Sequence, residues 1–248
     1  MKISKMVINN FRLLKSTEID LEKELSLIIG KNNCGKTSVL TVLTKFLGEQ
    51  STTNNFNYDD FNIDFQNELF QCVDENVGKW RGRKCQGIEL YVFIQYDDAD
   101  NLANISSLML DLDPDNKMVV LKLEYILDDT GVLTLKESFE KYYERFKNDK
   151  KNKLSKRECY DKFMHLKSRQ FFKIIYKAVL FDKTTKKISS DVFRVIDKRK
   201  IDLSEIISIK YIAAKREIVN KDNDGTLSSL SSKYYEKIKG NNENPVIQ

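Results

Sequence analysis

Histidine, proline and glycine are scarce in this chain: one His, two Pro and nine Gly in 248 residues. The lone His165 leaves little material for imidazole-based catalysis or a multi-histidine metal centre, and its expected place is on a helix. So few helix and strand breakers imply a chain rich in regular structure and exclude collagen-like and glycine- or proline-rich disordered classes. The four cysteines (Cys34, Cys72, Cys85, Cys159) are widely spaced and form no C-x-x-C pair. Neither a disulfide framework nor a zinc ribbon is expected, and a reducing cytoplasmic setting fits. No apolar run approaches membrane-spanning length, and the start, Met-Lys-Ile-Ser-Lys-Met, lacks the apolar region of a signal peptide. No membrane partner is expected.

What is present is ordinary for an α/β protein: 41% apolar and 32% charged residues, with enough length to bury a core as one large domain or two small ones. The net charge of +5 is uneven, because residues 141–173 hold twelve Lys/Arg against four Asp/Glu. Tyr142, Tyr143, Phe146, Tyr160 and Phe163 are interleaved with that basic band. Such a band can bind nucleic-acid phosphates. The aromatics fall at helical spacing, however, which favours a core-facing stripe with the lysines as a solvated face.

The most specific stretch spans residues 25–47. Leu27, Ile28 and Ile29 form a continuous apolar run expected of a strand buried on both faces. Gly30, Gly35, Lys36 and Thr37 then complete G-x-x-x-x-G-K-[ST], and Val39, Leu40, Val42, Leu43, Phe46 and Leu47 recur at helical intervals. Strand, glycine loop and helix follow in the order of a phosphate-binding P-loop. Glycines let backbone N–H groups converge on an anion, and the helix N-terminus adds its dipole. The expected roles follow: the backbone of Asn32, Asn33, Cys34 and Gly35 cradles phosphates, Lys36 neutralises the β- and γ-phosphates, Thr37 ligates Mg²⁺, and Ser38 aids the α/β-phosphate region. The expected ligands are ATP and Mg²⁺.

Elsewhere the pattern predicts strands over 2–9 and 18–21 around an Asn9-Asn10-Phe11-Arg12 turn, a loop over 48–57 closed by Tyr58-Asp59-Asp60-Phe61, and strands over 88–96 and 118–127. Asp128-Asp129-Thr130-Gly131 reads as a turn into a further strand at 132–135. Trp80-Arg81-Gly82-Arg83-Lys84 could form an exposed basic-aromatic tip, although a plain solvated loop is the safer expectation. Two helices follow, the second opened by the capping box Ser155-Lys156-Arg157-Glu158. Residues 171–182 should pair with 191–196, with a strand at 206–212 and a last amphipathic helix marked by Leu227, Leu230, Tyr234 and Ile238.

A P-loop hydrolase also needs an apolar strand ending in an acid that holds Mg²⁺ and positions water. Asp113, at the end of 108–113, is followed by Pro114-Asp115-Asn116 and reads as a turn; Asp182 is followed by lysine. Neither is assigned. Gly225-Thr226-Leu227-Ser228-Ser229-Leu230 lacks the glycines of an ABC signature loop. The hydrolytic site is incomplete, and no catalytic residue is assigned on these grounds.

Strand, Asn10-Phe11-Arg12, short strand and then Ile28-Ile29-Gly30-Lys31-Asn32-Asn33-Cys34-Gly35-Lys36-Thr37-Ser38 is similar to the opening of structural-maintenance-of-chromosomes and RecF-like ABC ATPases. Within that class the chain most resembles the OLD (overcoming lysogenization defect) family, including the Gabija-type anti-phage nucleases. The match extends to Asp59-Asp60-Phe61, to the strands at 88–96 and 118–127, and to Tyr211-Ile212-Ala213-Ala214-Lys215-Arg216-Glu217. The resemblance implies an α/β fold with a mixed, largely antiparallel sheet around the P-loop helix, the first lobe of an ABC-type P-loop ATPase. On that basis 1–248 is the N-terminal part of one ATPase domain, with a basic helical insertion at about 137–172. It further implies that Arg12 approaches the nucleotide and that Gln95 is the metal- and water-sensing glutamine. It implies at least a homodimer, action on DNA through a full-length protein in defence or repair, and a possible helicase-like or effector partner. Family members carry a Walker B acidic pair and a Toprim nuclease domain, neither located here, so the chain is expected to be a piece of a longer protein or to need another chain. The alternatives are an ABC-type repair or recombination ATPase without nuclease, and a module that senses nucleotide without turnover.

Overall fold

The computed structural model describes residues 1–48, 56–75, 77–80, 86–111, 113, 115–147, 154–185, 187–197 and 206–207. Its frame is a six-stranded sheet in the order β2-β1-β3-β4-β5-β6. The strands are β1 (Lys2–Phe11), β2 (Leu14–Asp20), β3 (Gly87–Gln95), β4 (Met118–Ile126), β5 (Lys173–Asp182) and β6 (Lys187–Ile196). Every neighbouring pair is antiparallel, so the expected mixed sheet is antiparallel throughout these strands.

Period-two alternation decides which face is covered. Met6 and Ile8, Leu90 and Val92, Leu121 and Leu123, and Ala178 point into one core. Onto that face pack α1 (Lys36–Leu47), α2 (Ile63–Asp74), α3 (Asp129–Lys147) and α4 (Lys156–Lys167) through Val42, Leu69, Leu135 and Phe163, each fully buried. Rings fill the middle, with Tyr125 stacked on Phe56 at 4.4 Å and on Phe172 at 5.1 Å between centroids.

The opposite face carries a smaller apolar group (Phe93, Val120, Val179) and a charge ladder. Lys122 Nζ lies 2.8 Å from Glu89 and 2.5 Å from Glu124, and Lys177 Nζ lies 2.6 Å from Glu124. Burial alone pulls the Lys122 ammonium down, but Glu89 and Glu124 outweigh it and hold the pKa above the ordinary lysine value. Two cations therefore match two buried carboxylates, as buried charge requires.

Several expectations change. The 132–135 strand is the start of α3. Asp128 caps that helix: its Oδ1 accepts from Gly131 N–H at 2.7 Å and from Thr130 Oγ1 at 2.9 Å. The polar tetrapeptide that reads as a hairpin turn is thus a helix cap. Helix α2 is absent from the sequence reading, although Asn62 accepts from Asp64 N–H at 3.0 Å as its N-cap and Phe65, Leu69, Cys72 and Val73 form its buried stripe. Trp80 is fully buried, with Nε1 donating to the Leu127 carbonyl at 2.9 Å; it is no exposed tip, and 81–85 lie outside the described residues. Residues 25–29 form no strand: Leu25, Leu27 and Ile29 are 78%, 76% and 82% exposed. No strand among the described residues pairs with them, and apolar sequence alone supplies no hydrogen-bond ladder. The predicted 206–212 strand beyond Ile207, the 225–230 motif and the final helix lie outside the described residues.

Candidate phosphate-binding site

The candidate loop joins that exposed segment to α1. Gly35 is the helix N-cap at φ 94°, ψ 4°, a left-handed conformation that glycine adopts without strain. Asn33 takes φ 63°, in the same region. A Cβ on Gly35 would stand 2.9 Å from Leu14 Cδ2, and one on Gly30 would stand 2.7 Å from Cys34 Sγ. Gly35 is required by its left-handed backbone, whereas the near neighbour of Gly30 is the movable end of the exposed Cys34 side chain.

Helix α1 has no side-chain N-cap and no acidic residue in its first turn. Its dipole and first-turn N–H groups thus meet no local carboxylate, which suits an anion. Lys36 is the first helical residue, and its Nζ donates to the carbonyls of Gly30 at 2.6 Å and Lys31 at 2.5 Å. The ammonium lies folded over the loop it is expected to serve. Thr37 is exposed and Ser38 is buried one residue later. Loop and helix N-terminus together fit a chain of phosphates: a glycine in the left-handed cap, an aligned dipole and a cation on a flexible stem.

Arg12 sits on the other side of Gly35. It opens the β1–β2 connection, and the two residues after it, Leu13 and Leu14, are the neighbours of Gly35. Its backbone is left-handed (φ 51°), as is that of Asn10 (φ 58°). Both are fastened to segment 57–62: Arg12 N–H donates to the Asp60 carbonyl at 2.8 Å, Asn62 N–H to the Asn10 carbonyl at 2.9 Å, and Asn62 Nδ2 to the Arg12 carbonyl at 2.6 Å. The guanidinium faces the Asp60 carboxylate, with Nη2 at 2.8 Å and Nε at 3.0 Å from Oδ1.

Gln95 is elsewhere. The sheet register pairs it with Lys2 at the start of β1, whereas the turn that touches Gly35 follows Phe11 at the end. Nine strand residues at ~3.3 Å each separate the two, about 30 Å. The structure does not bring Gln95 to the loop, because the strand register, invisible in the local sequence, carries it to the other end of β1.

A family model described as an AAA ATPase domain matches residues 1–245. The chain belongs to the AAA ATPase domain family. No curated protein matches it. Membership makes this a nucleotide-binding ATPase domain and agrees with the loop geometry.

Other features of this ATPase domain have structural roles. Asp182 Oδ1 accepts from Thr184 N–H at 2.8 Å and Thr185 N–H at 3.2 Å, and those backbone donors hold its carboxyl below the usual carboxylate range. Asp113 closes a turn, its Oδ1 accepting from Asp115 N–H at 3.0 Å and its carbonyl from Asn116 N–H at 3.1 Å. In the basic band, Tyr160 and Phe163 are fully buried, and Tyr142, Tyr143 and Phe146 pack against the core. The aromatics are core residues, and Lys156, Arg157 and Lys173 pair with Asp74, Asp161 and Asp128. His165 lies on α4 with Nδ1 3.6 Å from Asp59. Among the described residues no helix is long and apolar enough to cross a membrane.

Sequence reasoning missed two residues of the site region: Asp60, noticed only as part of a motif, and Lys45, whose Nζ lies 2.8 Å from Asp60 Oδ2. Nothing local marks Lys45, which reads as a solvated helix residue.

Proposed function

We propose that this ATPase domain binds Mg-ATP at residues 30–38, as the N-terminal ATPase segment of an OLD-family, DNA-directed nuclease whose nucleotide state regulates DNA processing in anti-phage defence. The observation that carries the binding site is the left-handed Gly35 cap, with Lys36 Nζ folded over the Gly30 and Lys31 carbonyls. In this reading Lys36 grips the β- and γ-phosphates, the backbone of Asn32 through Gly35 encloses them, Ser38 supports the α/β region, and Thr37 offers its hydroxyl to Mg²⁺. Bound Mg²⁺ neutralises phosphate charge. The sequence resemblance supports the OLD assignment, at least a dimer, and DNA as the ultimate substrate.

A second reading is favoured by one set of observations. Asp113 and Asp182 are engaged as turn acceptors. Among the described residues no acid is assigned beside the loop, which suits nucleotide binding without turnover by these residues. Calorimetric titration with Mg-ATP, followed by a phosphate-release assay on the same sample, separates the outcomes. Binding with negligible release supports a sensing segment; release at enzymatic rates shows that the chain holds a complete hydrolytic site; no binding overturns the proposal. Mg-ATP-driven dimerisation in sedimentation velocity tests the expected oligomer.

A further inference from the structure

Segment 56–62 touches both ends of α1, a helix of twelve residues and about 18 Å. At the far end Asp60 Oδ2 lies 2.8 Å from Lys45 Nζ in the last turn, and the rings of Phe56 and Phe46 are 4.9 Å apart. At the near end Asn62 and the Asp60 carbonyl fasten the β1–β2 turn, whose Leu14 meets Gly35. The segment thus braces the helix whose N-terminus faces the anion. It is held in turn from the α4 side. Arg169, in the turn Ser168–Gln170 that follows α4, donates from Nε to the Phe56 carbonyl at 3.0 Å and from Nη2 to Asn57 Oδ1. Asn57 N–H donates to Asp60 Oδ2 at 2.9 Å, and Asp60 N–H donates to the Asn57 carbonyl at 3.0 Å. On α4 itself Asp161 Oδ1 accepts from the Tyr58 hydroxyl at 3.2 Å. Arg169 is exposed, whereas Phe56 and Asp60 are buried. A surface guanidinium therefore closes the outer end of a chain of contacts that runs inward to α1.

We infer that Arg169 is a positioning residue for the phosphate site, and that the brace over 56–62 couples α4 to the phosphate loop. This rests on the phosphate-binding reading above and adds to it a control point outside the loop and its helix. The inner links cannot slip independently. Asp60, 2% exposed in its side chain, is a buried carboxylate that must keep the Lys45 ammonium and the Asn57 amide. A shift of Asn57 therefore carries Asp60 and the last turn of α1 with it. The outer link is the replaceable one, because the planar fork of Arg169 sits at the surface and takes two acceptors of the segment at once. Coupling is reciprocal: nucleotide on the loop tightens α4 by the same factor that Arg169 tightens nucleotide binding.

The test is Mg-ATP titration of the 248-residue chain and its variants, with thermal melts as the folding control and amide hydrogen exchange as the second readout. Arg169→Met weakens binding about fivefold, the low end for coupled sites. Asn57→Ala removes one of the two acceptors of Arg169, weakens binding by a smaller factor, and serves if Arg169→Met fails to fold. The double variant binds no more weakly than Arg169→Met alone, because both act through the same contact. In wild type, exchange across α4 slows on adding Mg-ATP; in Arg169→Met it does not, although the loop still binds. A residue that only stabilised the fold would leave the response of α4 to nucleotide unchanged. Wild-type affinity in Arg169→Met, or an α4 in the wild-type chain whose exchange ignores Mg-ATP, overturns the coupling while a defective Lys36→Ala leaves the phosphate site standing. Mg-ATP binding that is absent, or unaffected by Lys36→Ala, removes the underlying reading instead.

Discussion

The two segments that meet at Gly35 are built in opposite ways. On one side the β1–β2 turn is pinned: Phe11 is fully buried and bridges Phe61, and Asn10 and Arg12 are bonded to segment 57–62. On the other side residues 22–34 are exposed throughout, although 25–29 are among the most apolar in the chain. Hydrophobicity is equal or greater where burial is least. The difference lies in hydrogen-bonding neighbours: β1 has a strand on each side, and the approach to the loop has none among the described residues. The candidate phosphate loop is thus held through its glycine cap and helix, with its incoming segment left open.

The comparison breaks most sharply through like substitutions on either side. Leu90→Ala, in the centre of β3 and fully buried, is expected to cost about 2–5 kcal/mol in urea unfolding. Leu27→Ala, at 76% exposure, is expected to stay within about 0.5 kcal/mol. If Leu27→Ala approached Leu90→Ala, the approach segment would be packed in solution and the contrast would fail.

Between these extremes lies the α3 cap. Asp128→Ala should cost about 1 kcal/mol, since it removes the acceptor for the first-turn groups. Lys173, and then the Gly131 amide, hold the Asp128 carboxyl below its ordinary value of 3.8. A depressed carboxylate stabilises the fold above its unfolded pKa and loses that contribution as pH falls through the folded value. The stability gap between wild type and Asp128→Asn should therefore be constant near neutrality and shrink below pH ~3.8. A gap that widened in acid would contradict the assigned ion pair. The smallest expected effect is that of Leu27→Ala itself, which makes it the most sensitive check on the open side of the loop.

Local patterns were legible where the physics is local. Alternation locates β3 and β4 to within a residue, and Ser155 and Glu158 form the reciprocal cap expected of them. Gly35 caps α1 in a left-handed conformation and Lys36 is its first residue. Longer-range matters were not legible. The register that carries Gln95 to the Lys2 end of the sheet depends on pairing between residues far apart in sequence. The Arg12–Asp60–Lys45 cluster joins three separate elements. Asp128 misled because the same side-chain acceptor serves turns and helix caps. Residues 25–29 misled because a strand is defined by partners as well as by its own composition.

The central claim is that residues 30–38 bind the phosphates of a nucleotide through Lys36. Calorimetric titration of the wild-type chain and Lys36→Ala with Mg-ATP tests it most directly. The account predicts saturable binding by wild type and a loss of about 100-fold or more in Lys36→Ala, as befits removal of a charge-assisted contact at the loop's centre. Equal affinity in the two proteins would contradict it.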